Sequence, residues 1–241
     1  ELATAAISGR VYLDRDDDGT QDGGEPGLPG VQIVIEGAGP DGVFGNGDDT
    51  RETLTTDANG GYLYPDAIAG QNYRVTEQQP GGLANGQENT GNVINITQLP
   101  PTGSSNNNFG ELAATISGSV WLDADNDGVR DAGEPGIAGV VVTLPAGTLD
   151  VLGNPVTQAI TDANGDYRFI DLPAGTYTVT EQLAQPVVGG VTTLNGTTVA
   201  GNVGGVATGT ATTTGTVPSA VNNLVLPAGG HSQRNDFGEI L

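Results

Sequence analysis

The chain contains no cysteine, no methionine and no lysine. Without cysteine there is no disulfide framework, thiol nucleophile, zinc ribbon or iron–sulfur cluster. Without lysine there is no Schiff base, P-loop or lysine-based cross-link. Positive charge is scarce: seven basic residues, all arginine, stand against 29 Asp plus Glu, for a formal net charge of −22. Such a surface cannot neutralise phosphates, which excludes nucleic acid and an anionic membrane as direct partners. No apolar run reaches the ~20 residues of a membrane-spanning helix. The start of the chain lacks a basic segment followed by an apolar one, which predicts a mature protein or an excised piece. Aromatics make up 5%, so any core is built mostly from Val, Ile, Leu and Ala. Glycine, at 40 residues, and proline, at 14, are plentiful, in no collagen-like period. A length of 241 residues suits one large sandwich or two domains of ~100–150 residues.

The chain repeats itself. Ile7-Ser8-Gly9-Arg10-Val11-Tyr12-Leu13-Asp14 returns as Ile116-Ser117-Gly118-Ser119-Val120-Trp121-Leu122-Asp123. Thr56-Asp57-Ala58-Asn59-Gly60 returns as Thr161-Asp162-Ala163-Asn164-Gly165, and Val75-Thr76-Glu77-Gln78 as Val179-Thr180-Glu181-Gln182. Each copy closes on Phe-Gly-Glu, at Phe109 and Phe237. A period above 100 residues means duplicated domains rather than a solenoid, with expected bounds 1–112 and 113–241. Phe109–Leu112 reads as a closing strand and Thr115–Leu122 as an opening one, which predicts a stiff joint and an elongated pair.

Within each copy the apolar pattern has period two. Val31–Ile35, Tyr62–Tyr64, Tyr73–Thr76 and Val93–Ile96 are short runs, rich in β-branched or aromatic residues and bounded by Gly, Pro, Asn and Asp. Asn59-Gly60 and Asn164-Gly165 predict type I′ hairpin turns. About seven strands per copy predict an all-β fold of two tandem immunoglobulin-like antiparallel β-sandwiches; a β-barrel fits the same pattern.

The acids are clustered. Asp14, Asp16, Asp18, Asp22 and Glu25 occupy positions 1, 3, 5, 9 and 12 of a twelve-residue segment with Gly19 at position 6. The second copy repeats this as Asp123, Asp125, Asp127, Gly128, Asp131 and Glu134. This is the spacing of the EF-hand calcium loop, whose seventh residue, here Thr20 or Val129, offers a backbone carbonyl. Five carboxylates in twelve residues repel one another unless a cation sits among them. The flanks are not helical: a strand enters, and Glu25-Pro26-Gly27 or Glu134-Pro135-Gly136 stops any exiting helix. A second cluster in the first copy, Asp41, Asp48 and Asp49 with the Val43 carbonyl, predicts a further calcium site. The second copy has only Asp150 in that region, so a single ion-poor loop is expected there. Asp57/Asn59 and Asp162/Asn164 fit ligands and self-bonded turns equally well.

At these residues the chain resembles the calcium-binding B-type repeats of serine-aspartate-repeat adhesins, within the collagen-adhesin B-like superfamily. The signature is Gly-x-Val-(Tyr/Trp)-Leu-Asp-x-Asp-x-Asp-Gly-x-x-Asp-x-x-Glu-Pro-Gly, followed by Thr-Asp-Ala-Asn-Gly-x-Tyr, Tyr-x-Val-Thr-Glu and Phe-Gly-Glu. The resemblance implies seven-stranded sandwiches that bind several calcium ions and serve as stalk units of surface proteins. Many relatives in the superfamily lock the sandwich with a Lys–Asn isopeptide bond; lacking lysine, this chain cannot, so calcium is expected to supply the stiffening. The stretch 186–230, uncharged and long, is either extra strands or a loop.

The expected function is a non-enzymatic, calcium-binding spacer of an extracellular, secreted or cell-surface adhesin. It would be a monomer whose partners are calcium ions and neighbouring repeats of the same parent chain. The alternative is a module that itself binds an extracellular glycan or matrix protein. Tyr12 and Trp121 read as core aromatics, and His231 as an exposed loop histidine with no catalytic set around it.

Overall fold

The computed structural model describes residues 3–87, 91–182 and 185–241. The chain divides into two compact units, Glu1–Leu112 and Ala113–Leu241, called domain 1 and domain 2. No helix occurs among the described residues.

Domain 1 contains β1 (Thr4–Leu13), β2 (Gln32–Gly37), β3 (Thr50–Thr55), β4 (Gly61–Ile68), β5 (Tyr73–Glu77), β6 (Ala84–Asn85), β7 (Val93–Ile96) and β8 (Phe109–Leu112). They form two four-stranded sheets, β4-β1-β8-β6 and β3-β2-β5-β7. The period-two pattern does what it should: along β5, Tyr73, Val75 and Glu77 are buried while Arg74 points outward. Ile7, Val11 and Phe109 of one sheet and Ile33, Ile35 and Val75 of the other are buried, and they make the core.

Domain 2 opens with β9 (Ala114–Leu122), β10 (Val141–Thr143), β11 (Gln158–Ile160), β12 (Asp166–Leu172) and β13 (Gly175–Glu181). The uncharged stretch resolves into strands: β14 (Val187–Val188), β15 (Val191–Thr192), β16 (Leu194–Val199), β17 (Asn202–Val203), β18 (Val206–Ala207), β19 (Thr210–Ala211) and β20 (Ala220–Leu226). The chain ends in β21 (His231–Gln233) and β22 (Asp236–Ile240). One sheet runs β11-β10-β13-β20-β19; the other carries β16, β22, β9 and β21, with β12 paired to β9. Ile116, Phe169 and Phe237 from the second sheet meet Val142, Val179 and Leu224 from the first in one apolar core. His231 therefore begins a short strand rather than lying in a loop, and its Nδ1 is 2.9 Å from Thr115 Oγ1.

Strand pairing is antiparallel except along the first strand of each domain, which runs parallel to the last strand and, in domain 2, also to β21 through His231↔Thr115. β1 and β8 run parallel through Val11↔Phe109, and β9 and β22 through Val120↔Phe237. A parallel pair needs a long crossover, and here the whole domain provides it.

The expected type I′ turns are not formed. Gly60 and Gly165 have positive φ, but Asn59 and Asn164 do not, whereas type I′ demands it of both. Instead Gly60 N–H donates to the Asp57 carbonyl at 2.9 Å, and Asp57 Oδ1 accepts from the N–H groups of Asn59 and Gly61. Asp162 holds Asn164 and Asp166 in the same way. The aspartate side chain closes a type I turn that ends on a left-handed glycine. Those two bonds hold the Asp57 carboxyl below its ordinary range.

Candidate metal centre

The twelve-residue loops begin where β1 and β9 end, at Asp14 and Asp123, and both of these carboxylates are buried. Burying a carboxylate requires hydrogen bonds. The turn provides them: Asp14 accepts from the N–H of Asp18 at 3.2 Å and of Gly19 at 3.0 Å. Asp123 accepts from Asp127 at 3.2 Å and Gly128 at 2.9 Å. Gly19 and Gly128 have φ of +80° and +78°, a region that suits glycine, and this bend turns the backbone back onto the first aspartate. Burial pushes the Asp123 carboxyl up, with the N–H groups of Gly128 and Asp127 opposing it.

Glu25 reaches back over the loop. Its Oε1 accepts from Arg15 N–H at 2.6 Å and its Oε2 from Asp22 N–H at 2.9 Å. Glu134 does the same with Ala124 at 2.7 Å and Asp131 at 2.9 Å, and these bonds hold its carboxyl down. After each glutamate the chain turns sharply: Gly27 and Gly136 lie so close to the facing turn that an added Cβ would stand 1.9 Å from the Asn59 carbonyl oxygen and 1.8 Å from that of Asn164. The Pro26 and Pro135 carbonyls accept from Leu13 and Leu122 at 2.9 Å, tying the loop exit to the strand that entered it.

With the loop so fixed, its acids converge. Carboxylate oxygens of Asp14, Asp16 and Glu25 lie within 4.8 Å of one another, as do those of Asp16, Asp18 and Asp22. Domain 2 forms the same two groups, from Asp123, Asp125 and Glu134 and from Asp125, Asp127 and Asp131. The donor set is hard oxygen, and two oxygens each ~2.4 Å from a calcium ion stand at most ~4.8 Å apart. The residues therefore fit a hard divalent cation. Asp16 and Asp125, shared by both groups of their loop, accept no hydrogen bond among the described residues. Desolvation first, then the charges of Asp18, Glu25, Asp14 and Asp22, push the Asp16 carboxyl up. Thr20 and Val129 donate their N–H groups to Asp18 and Asp127, both at 2.7 Å.

The Asp41 cluster is arranged differently. Asp41, Asp48 and Asp49 are not among the groups of acids brought within 4.8 Å. Two of them bond within their own loop: Asp41 accepts from Val43 N–H and Asn46 Nδ2, each at 2.8 Å, and Asp49 Oδ2 from Gly45 N–H at 2.6 Å. Asp49 Oδ1 alone is buried without a partner. In domain 2, Asp150 caps its own turn through Leu152 and Asn154.

Several contributors to the loops come from outside the motif. The buried Trp121 donates its Nε1–H to Glu134 at 3.2 Å, so this core aromatic also orients a candidate ligand. Thr197 Oγ1 donates to the Asn126 carbonyl at 3.2 Å, bracing a residue with φ of +59°. Gln87 braces Asp17, at φ +57°, through N–H and Nε2 bonds of 2.8 and 3.0 Å. The last two contacts join residues 71 and 70 positions apart, and the sequence carried no signal for them.

The motif glutamates outside the loops are buried as well. Glu181 and Glu239 hydrogen bond to each other, while Ser219 donates to the first at 2.7 Å and Thr193 to the second at 2.6 Å. Burial and the neighbouring Glu181 push the Glu239 carboxyl up to about 8, so the pair holds a proton near neutral pH.

The model of the SdrD B-like domain matches residues 5–98 and 114–229. The chain is 33% identical over 179 residues to serine-aspartate repeat-containing protein F of Staphylococcus epidermidis, covering 70% of this chain and 10% of that protein. It is 31% identical over 184 residues to the bone sialoprotein-binding protein of Staphylococcus aureus, covering 72% of this chain and 15% of that protein. The chain thus spans a small part of the length of both relatives. Among solved structures it is similar to the major pilin from Streptococcus pyogenes, at 13% identity and a TM-score of 0.43 over 100% of this chain and 99% of the other. A further similarity is to the shaft pilin spaA from Lactobacillus rhamnosus GG, at 13% identity and a TM-score of 0.37 over 98% of this chain and 97% of the other. With both copies of its repeat matched by one family model, this chain belongs to the SdrD B-like domain family.

Proposed function

We propose that the chain is a calcium-dependent structural spacer of an extracellular, cell-surface adhesin, in which Ca²⁺ completes and stiffens each sandwich. One observation carries this reading: both domains hold matched acidic triads at the same strand end, fixed by the same backbone N–H donors. In domain 1 the ligands are Asp14, Asp16, Asp18, Asp22 and Glu25 with the Thr20 carbonyl. In domain 2 they are Asp123, Asp125, Asp127, Asp131 and Glu134 with the Val129 carbonyl. The third site, at Asp41, Val43, Asp48 and Asp49, is supported by the buried, unpartnered Asp49 Oδ1. A spacer role accords with membership of a repeat family whose relatives are far longer than this chain. Extracellular calcium is abundant enough to fill sites of the extracellular-module class, with Kd of ~10⁻⁴–10⁻³ M, which cytosolic levels would leave empty.

Calorimetric titration with CaCl₂ tests the assignment. Asp16→Asn should remove the domain 1 loop sites and Asp125→Asn those of domain 2, each leaving the other domain's heat intact. Titrations of both variants that match the parent chain would overturn it.

A further inference from the structure

The outer face of the β12-β9-β22 sheet differs between the two domains. In domain 2 it carries a groove of about 790 Å³, within the ~300–1,000 Å³ of small-ligand sites. In domain 1 the corresponding face holds two separate hollows of about 440 and 370 Å³. The two faces differ at several positions, among them that of Arg10. Arg10 lies on β1 and its Nη1 donates to Gln21 at 3.3 Å, so the side chain lies across the face. The residue at that repeat position in domain 2 is Ser119, too short to span it, and the groove runs through.

Arginine is rare in this chain, yet all three arginines of domain 2, Arg130, Arg168 and Arg234, line this one groove. They arrive from the acidic loop, from β12 and from the turn between β21 and β22, where domain 1 has Gln21, Leu63 and Asn106. Arg130 is 3.9 Å from Asp166, and no carboxylate lies within 4.0 Å of Arg168 or Arg234 among the described residues. Arg234 also has φ of +62°. Asparagine enters this left-handed region readily, as Asn106 does at +60° in domain 1, whereas a long side chain does so at a cost that is characteristic of ligand sites.

The groove offers more than cations. Asp162 and Asp166 are exposed acceptors beside the amides of Gln158 and Gln233. Mixed donors and acceptors suit hydroxyl groups, each of which donates and accepts. Two exposed carboxylates would repel a run of acidic side chains. Asp236 also lines the groove and feels the charge of Arg234. This leaves Arg168 and Arg234, neither in an ion pair among the described residues, to take a single anionic group in a polyhydroxylated frame.

We propose that this groove of domain 2 binds a carboxylate-bearing oligosaccharide, with Arg168 and Arg234 holding the carboxylate and Asp162 and Asp166 accepting sugar hydroxyls. The groove borders the acidic loop, whose Gly128, Val129 and Arg130 line it, but none of the triad carboxylates does, and the proposal does not rest on their assignment.

The test is an amide NMR titration of the full chain, in calcium, with cellobiouronic acid and with cellobiose, which differ by one carboxylate. Shifts should localise to Ser119, Arg168 and Arg234, and the acid should bind at least about tenfold more tightly than the neutral sugar, as expected of a charge-assisted Arg–carboxylate contact. Arg168→Gln and Arg234→Asn should each remove that preference. Ser119→Arg, which rebuilds the domain 1 arrangement, should abolish binding while the rest of the spectrum keeps its dispersion. Equal binding of the two sugars, no shifts with either at millimolar concentration, or a Glu/Asp-rich peptide occupying the groove in preference to the acid sugar would overturn the proposal.

Discussion

Removing one charge from the centre of an acidic loop should have opposite effects with and without calcium. Asp16 belongs to both triads of its loop and accepts no hydrogen bond among the described residues, so Asp16→Asn changes charge while leaving the turn's N–H bonds in place. In excess chelator the unmodified loop holds like charges around Asp16, and desolvation first, then those charges, push its carboxyl up. Asp16→Asn relieves that repulsion, and the domain 1 melting temperature should rise by a few degrees. In calcium the sign reverses. An ion that binds only the folded state at ~100 times its Kd stabilises by about 2.7 kcal/mol. With an unfolding entropy of ~2.1 cal/mol/K per residue, a domain of this length gains about 10 °C per ion. Asp16→Asn should therefore lower the domain 1 transition by about 10 °C or more in calcium, while the domain 2 transition stays put. Differential scanning calorimetry of parent and variant in both buffers reads all four values. If calcium and chelator give superimposable curves for the parent chain, or the variant shifts in the same direction in both, the loops are not calcium cages.

The remaining predictions concern what holds the loops and domain 2 in place. Gly27→Ala and Gly136→Ala force a Cβ onto a backbone carbonyl, and each should cost about 2–4 kcal/mol in urea unfolding of its own domain. Thr197→Val removes the hydroxyl that braces Asn126 and should weaken domain 2 calcium binding by about 1 kcal/mol, roughly fivefold, without touching domain 1. Burial pushes the Asp236 carboxyl up to about 6, against the bond from Ser119 N–H and the nearby Arg234. An unfolded aspartate titrates near ~4, so the folded state holds the proton more tightly. The resulting stabilisation is complete below about pH 4 and is lost as pH rises through about 6, by at most ~3 kcal/mol. Urea unfolding of domain 2 in chelator should show that decline, and Asp236→Asn should make it shallower between about pH 4 and 6, leaving the part that comes from Glu239 and the other raised carboxyls.

What the sequence determined by itself is whatever is encoded in neighbouring residues. Duplication, period-two strands and the twelve-residue acidic loops were all legible, because the acids of each loop come from one short segment bent at Gly19 or Gly128. The tertiary structure decided whatever joins distant segments or depends on which backbone groups a side chain captures. Asp57 and Asp162 took the turn N–H groups, so Asn59 and Asn164 did not adopt the left-handed conformation that their Asn-Gly pairs suggest. Asp41 and the Oδ2 of Asp49 bond within their own loop, and these residues stand apart from the acidic groups that the other loops form. Trp121 on Glu134, Thr197 on Asn126 and Gln87 on Asp17 depend on strand pairing, as does the meeting of Arg130, Arg168 and Arg234 in one groove. Side chains separated by tens of residues become neighbours only when the sheet registers are fixed, and burial of the period-two apolar faces fixes those registers across the whole domain.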